Sequence, residues 1–323
     1  MKIKKYFPVI GIAIFLYILF KLDISTVIRE ISNAKISYLL IAVFFILVSL
    51  VTQTLKWFVI AKVQKIEVPF IEAVKINLIS IFYGSVTPSR IGGAIRAEYL
   101  KKYNHSGLGK GIGNFTLDKV LDLCSLVFLV VIFSFVFRGI IPGTYLQYSI
   151  MLLALLVGLL IIFSDRKRSR ILLGIIYRKL VPDKLKYKLK MGFDSFYEDM
   201  PKKRYFPLFF LLNLFNWVVL FATTFFVGRS LGIDISFFYF LAIMPIATLV
   251  AQIPITIAGL GTREITLIYL FKLFSIEPTK VFSMSLIAMF LWFIPSFMGI
   301  FLVIKKTRRN HEKNFNHNSM QKN

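Results

Sequence analysis

The feature that most constrains this chain is an interruption. Ile253-Pro-Ile-Thr-Ile-Ala-Gly-Leu-Gly-Thr-Arg-Glu264 sits inside an apolar region running from Phe237 to Phe271. Runs of about 18 apolar residues are candidates for membrane helices. Here a proline, two glycines, an arginine and a glutamate break the run. Lipid offers backbone no hydrogen-bond partner, so broken helix at membrane depth is tolerated only where protein or a water-filled cavity covers it. Ionisable residues at that depth mark a functional site by default. A second interruption lies upstream, Thr87-Pro-Ser-Arg-Ile-Gly-Gly-Ala-Ile-Arg-Ala-Glu98. The remainder of the chain reads as a scaffold for the two.

Composition fixes the class. The chain is 57% hydrophobic, with a mean hydropathy of +0.73, which is the profile of an all-α polytopic membrane protein rather than a soluble domain. Residues 1–304 read as one membrane domain, with halves 1–140 and 141–304, and 305–323 as a basic cytoplasmic tail without order. The longest hydrophilic stretch, Ser164 to Tyr205, has roughly 42 residues, too few for a separate soluble transferase domain. The expectation is therefore a protein that is not itself an enzyme.

The net charge of +24 does not imply nucleic acid. The basic residues cluster in loops between apolar runs, as the positive-inside rule and anionic headgroups require. The loop from Ser164 to Arg204 alone carries 13 Lys/Arg against 5 Asp/Glu. Its Leu172, Ile175, Ile176 and Leu180 have the spacing of an amphipathic segment on the inner leaflet. The single cysteine, Cys124, excludes a disulfide framework. His105, His311 and His317 show no metal-ligand spacing, and no cofactor motif is present.

Taken in order, the chain predicts spans over Phe7–Phe20, Ser37–Ile60, Thr116–Phe137, Tyr145–Phe163, Phe206–Val227 and Lys280–Ile304. A helix over Asp23–Lys35 is expected at the outer interface, from Ile24, Val27, Ile28 and Ile31 at helical spacing. Lys2, Lys4 and Lys5 at one end and Lys305 to Arg309 at the other place both termini in the cytoplasm. No cleavage site follows the first run, which reads as an uncleaved helix. Lys56 and Trp57 have the look of a snorkelling lysine and an interfacial tryptophan at a helix end. Asn213 and Asn216 are expected to tie helices together.

Each interruption flanked by its two half-helices predicts a re-entrant hairpin, about Ile71–Leu100 and Phe237–Phe271. Six spans and two hairpins divide into two sets of opposite orientation. That is an inverted repeat, the plan of many secondary transporters, whose substrate meets broken helices near the midplane. Pro88 to Glu98 and Pro254 to Glu264 echo each other at the same spacing.

The residue types in these breaks suit an anion. Helix starts after Pro88 and Pro254 would aim unsatisfied N–H groups and positive dipole ends into a cavity. Arg90, Arg96 and Arg263 would add full charges with paired hydrogen bonds to phosphate. Glu98 and Glu264 would keep those arginines paired in the empty site. Gly92, Gly93, Gly259 and Gly261 would allow close approach of backbone to a headgroup or to backbone. The alternative is that the arginine–glutamate pairs only hold the hairpins together. Asp118 and Asp122, with Lys119 between them, lie on one helix face and read as a charge cluster at a helix start.

At these residues the chain resembles the membrane domain of the lysylphosphatidylglycerol synthase and flippase family. Pro254 to Glu264 looks like its proline, glycine-x-glycine and arginine-glutamate signature. Pro88 to Arg96 is similar to its first hairpin motif, and Asp118-Lys-Val-Leu-Asp122 to the start of the following span. The family usually carries an acidic residue where this chain has Gly93 and Ala94. The resemblance implies a domain that moves an anionic, aminoacylated or polyprenyl-phosphate lipid between leaflets. Full-length relatives carry a cytoplasmic lysyltransferase domain that has no counterpart here. The expected function is a lipid translocator binding membrane phospholipid or polyprenyl-phosphate lipid at Arg90, Arg96 and Arg263. Glu264 and Asp122 are candidates for a proton-coupled carboxylate. The alternatives are a partner that presents lipid to a cytoplasmic or membrane transferase, and an intramembrane enzyme acting on lipid phosphate.

Overall fold

The structure, a computed structural model, describes residues 7–87, 91–104, 107–139, 143–163, 165–171, 193–194, 196–197, 200–253, 256 and 259–320, without the side chains of 7–10, 163 and 306–320. Its helices are α1 (Phe7–Lys21), α2 (Ile24–Ser32), α3 (Ile36–Val63), α4 (Phe70–Ser85), a 3₁₀ turn (Ile91–Ile95), α5 (Arg96–Leu100), α6 (Leu108–Val136), α7 (Gly143–Phe163), α8 (Phe206–Ser230), α9 (Phe237–Gln252), α10 (Thr262–Lys272) and α11 (Pro278–Met320).

Among the described residues, five helices are long and apolar enough to cross a membrane: Ile36–Val63, Leu108–Val136, Gly143–Ile162, Lys203–Ser230 and Pro278–Lys305. A sixth span is completed if α1 and α2, bent by 82° at their junction, are taken together. The bend falls where Asp23 accepts the α2 backbone N–H of Ser25 at 3.2 Å, a helix-start cap that begins a new helix rather than extending the old one. This is a multi-pass helical membrane protein.

Within lipid, apolar contact alone drives little helix association, so close packing and buried polar contacts must do it. The largest core joins α6, α8, α9, α10 and α11 through residues such as Leu126, Phe221, Phe240, Phe271 and Met284. Helices α3 and α8 lie against each other and are tied by Thr52 Oγ1 donating to Asn216 Oδ1 at 2.9 Å, a contact worth about 0.6–2 kcal/mol in this setting. Asn216 is thus the helix tie expected of it. By contrast α7 packs mainly on α6, with 6% of its span buried.

Two boundaries differ from the sequence expectation. Helix α6 begins at Leu108, well before Thr116, because Gly111 packs directly on the Ala97 backbone, where a Cβ would come within 2.8 Å. That contact overrides the weak helix propensity of a glycine-bearing segment. At the other end, the tail expected to lack order continues α11 as helix to Met320; between Lys305 and Met320 no proline or glycine stops it. The amphipathic segment expected at Leu172 to Leu180 lies outside the described residues.

Candidate functional site

Both interruptions are present. Helix α4 ends at Ser85 and the chain folds back through the 3₁₀ turn into α5; α9 ends at Gln252 and α10 restarts at Thr262. Pro88, Arg90 and Pro254 lie outside the described residues. The first return is tight. A Cβ on Gly92 would stand 2.2 Å from the Tyr83 carbonyl oxygen, and the Gly92 N–H donates to Thr87 Oγ1 at 2.8 Å. Gly261, with φ +81°, starts α10 in the left-handed region that suits glycine, and a Cβ there would meet the Gly11 carbonyl oxygen of α1 at 2.6 Å. Gly259 packs on Ala251. These three serve approach of chain to chain; Gly93 faces a cavity.

That cavity has a volume of about 350 Å³ and unites the two breaks. The first contributes Gly93 and Arg96; the second contributes Leu260, Arg263 and Glu264. Helix α6 adds Asp118, Lys119 and Asp122, and α3 adds Lys56. Its wall also includes Ile12 of α1 and Phe293 of α11, both among the exposed hydrophobic side chains. One wall is therefore charged and another meets the surface through apolar side chains.

The charged wall is a buried network. Lys56 Nζ lies 3.0 Å from Asp118 Oδ1 and 2.9 Å from Asp122 Oδ1, and donates to Asn213 Oδ1 at 3.1 Å. Arg96 Nη2 donates to Asp118 Oδ2 at 3.1 Å. The Arg96 guanidinium is held between the rings of Trp57 and Phe115, 4.6 Å and 5.4 Å away, a cation–π arrangement that fixes its plane. Lys119 Nζ approaches Asp122 Oδ2 at 3.6 Å. Asp118 and Asp122 would repel each other one helical turn apart in a low-dielectric interior; Lys56 between them removes that penalty.

Several expectations change here. Lys56 does not snorkel and Trp57 is not interfacial. Both are buried, at 4% and 0% exposure, because α3 runs on two further turns beyond them. Those continuing apolar turns, Phe58 to Ala61, were the signal in the sequence. Arg96 pairs with Asp118, not with Glu98, which is exposed; both lie in α5, where residues two apart do not share a helix face. Asp118 and Asp122 are not at a helix start, since α6 begins at Leu108.

The second break has its own cluster. Glu264 Oε2 accepts the Gly261 N–H at 2.7 Å and Oε1 accepts from Ser285 Oγ at 2.6 Å. Arg263 Nε donates to Glu264 Oε1 at 3.3 Å and Nη2 to Ser285 Oγ at 2.6 Å. The start of α10 is therefore capped by the chain's own carboxylate. Cationic side chains, rather than an open helix end, face the cavity. Arg263 retains 19% side-chain exposure, so part of its guanidinium is accessible.

Three polar atoms of residues in the wall stand without a hydrogen-bond partner among the described residues: Arg96 Nε, Ser80 Oγ and Asp118 Oδ1, the last lying beside the Lys56 ammonium. All three residues are at least nine-tenths buried. Buried donors left unpaired, as Arg96 Nε and Ser80 Oγ are, are costly, and an anion would supply the acceptor they lack. No group of three or more potential metal-ligating side chains occurs among the described residues.

A family model described as the lysylphosphatidylglycerol synthase TM region matches residues 8–300. The chain is similar to a UPF0104 membrane protein of Pyrococcus horikoshii, 25% identical over 94% of this chain and 98% of that one. It is also similar to two UPF0104 membrane proteins of Methanocaldococcus jannaschii, each 26% identical. One match covers 92% of this chain and 94% of the relative, the other 64% and 86%.

Proposed function

The chain belongs to the lysylphosphatidylglycerol synthase transmembrane-region family, and on that premise we propose that it moves an anionic, aminoacylated or polyprenyl-phosphate lipid between the leaflets of a prokaryotic cell membrane. The observation that carries the proposal is the shared cavity: Arg96 from the first break and Arg263 from the second face one space with Lys56. A phosphate there would meet charge-assisted donors in a low-dielectric setting, where each counts for more than in water. The apolar wall at Ile12 and Phe293, whose side chains are exposed, supplies a path on which acyl chains remain in lipid while the headgroup is inside.

In this mechanism the helices around the breaks are re-entrant hairpins of an inverted repeat, and the two halves expose the site to alternate faces. Both termini lie in the cytoplasm. The protein translocates its lipid and performs no chemistry on it.

The test is leaflet exchange of headgroup-labelled phosphatidylglycerol in proteoliposomes, comparing wild type with Arg263→Ala. Fast exchange lost in the variant is the expected result. Exchange retained in the variant would move the site away from the second break. No exchange with any anionic lipid would sink the translocator role.

A further inference from the structure

Three carboxylates face the cavity, and one of them, Asp118, is paired with Arg96, the cation that has an unfilled donor. Glu264 is held by the Gly261 N–H and the Ser285 hydroxyl as well as by Arg263. Asp122 is held by Lys56 and Lys119. Asp118 Oδ2 accepts from Arg96 and Oδ1 lies beside the Lys56 ammonium, with no hydroxyl or backbone donor to this carboxylate among the described residues. The groups facing it are Lys56 from α3, Arg96 from α5, and Lys119 and Asp122 on α6, with Arg263 and Glu264 in the same cavity wall.

Arg96 is also where an anion has an unfilled donor. Its Nη2 is committed to Asp118 while Nε has no partner. Ser80 Oγ, in the same wall, likewise has none. A side chain at Gly93 would touch both the Ser80 carbonyl oxygen and the Phe115 ring at 3.5 Å, so Ser80 borders the turn that carries Arg96. An anion hydrogen-bonded at Nε shares one buried guanidinium with the Asp118 carboxylate. The anion and the carboxylate then draw on one guanidinium, and Asp118 is left with the Lys56 ammonium, which it already shares with Asp122, so its charged form loses support. A phosphodiester is the stronger acid, so the carboxylate is the one that accepts a proton.

We propose that a lipid phosphodiester binding at Arg96 Nε brings one proton onto Asp118, so that lipid and proton enter and leave the cavity together. The inference rests on the translocator reading for its substrate. The step balances: a proton from water converts the Asp118 carboxylate to the acid as the anion arrives, and returns to water when the anion departs. The proton gradient would then set the direction of net lipid movement.

Calorimetric titration of the purified full chain with dioctanoyl phosphatidylglycerol, in two buffers of different ionisation heat, counts protons taken up per lipid bound. Wild type is expected to take up about one proton per lipid at neutral pH, the full linkage of a group ionised when free and protonated when bound. Asp118→Asn should bind lipid with almost no uptake, and Asp118→Glu, which keeps the charge and guards against a folding defect, should restore it. Binding without uptake in wild type, or uptake that vanishes in Asp122→Asn and survives in Asp118→Asn, overturns the assignment. Inorganic phosphate and glycerophosphoglycerol serve as probes without acyl chains; tight binding of either overturns the lipid source. Uptake without leaflet exchange would keep the proton site and sink translocation, while exchange without uptake would do the reverse. Binding of none of the three probes overturns both.

Discussion

Lys56 Nζ stands 2.9 Å from Asp122 Oδ1 across 66 residues of sequence, and the same ammonium is 3.0 Å from Asp118. One buried cation thus holds two carboxylates of a neighbouring span and ties α3 to α6, with Asn213 of α8 as third partner. Removing one member of a buried ion cluster leaves an uncompensated charge, which costs far more than the intact pair contributes.

Lys56→Met should therefore destabilise the protein by about 3–5 kcal/mol. Thermal unfolding of the protein in detergent measures it. Lys56→Met combined with Asp122→Asn should recover part of the loss, because one of the two stranded charges is gone. Equal losses in single and double variants would show that the carboxylates are not what Lys56 neutralises.

Arg263→Lys should separate function from stability. The lysine keeps a cation beside the buried Glu264 carboxylate, which also keeps its bonds from Gly261 and Ser285, so α10 remains capped. The paired hydrogen bonds of a guanidinium to an anion are worth about 1.5–3 kcal/mol, so lipid exchange should fall roughly ten- to hundredfold while the melting temperature moves little. A large drop in melting temperature would mean that Arg263 is structural.

Gly261→Ala should loosen α1. The residue sits at φ +81° and a Cβ would collide with the Gly11 carbonyl oxygen; strain of this kind costs roughly 1–3 kcal/mol. Gly158→Ala on α7 is the contrast, since a Cβ there meets nothing within 4 Å. Comparing the two melting temperatures checks the pair; equal shifts would contradict the α1 contact.

The proposed inverted repeat predicts opposite access at its two breaks. Ile91→Cys and Thr262→Cys should react with a membrane-impermeant thiol reagent from opposite faces of the membrane. The native Cys124 is buried and should contribute little background. Labelling of both from one side would end the inverted-repeat arrangement.

Much of the fold was legible because the rule behind it is local. An apolar run of sufficient length must be a helix in lipid, since only a helix satisfies its own backbone there. The spans at α3, α6, α7, α8 and α11 follow from that, as do the breaks at residues 86–90 and 253–261. Arg96, Asp118, Asp122, Arg263 and Glu264 could be singled out for a related reason: charge inside an apolar region has to be accounted for. Lys56 was passed over because a lysine near a helix end has an inexpensive ordinary explanation, snorkelling.

What the sequence determined by itself is the class, the breaks and the charged residues within them. What only the tertiary structure decided is which charges meet. Arg96 has Glu98 two residues away yet pairs with Asp118, and Lys56 is joined to α6 rather than to water. Pairing in a membrane interior depends on which helices lie side by side and on how each is rotated about its axis. Those are properties of packing among several helices, and no single segment's periodicity contains them.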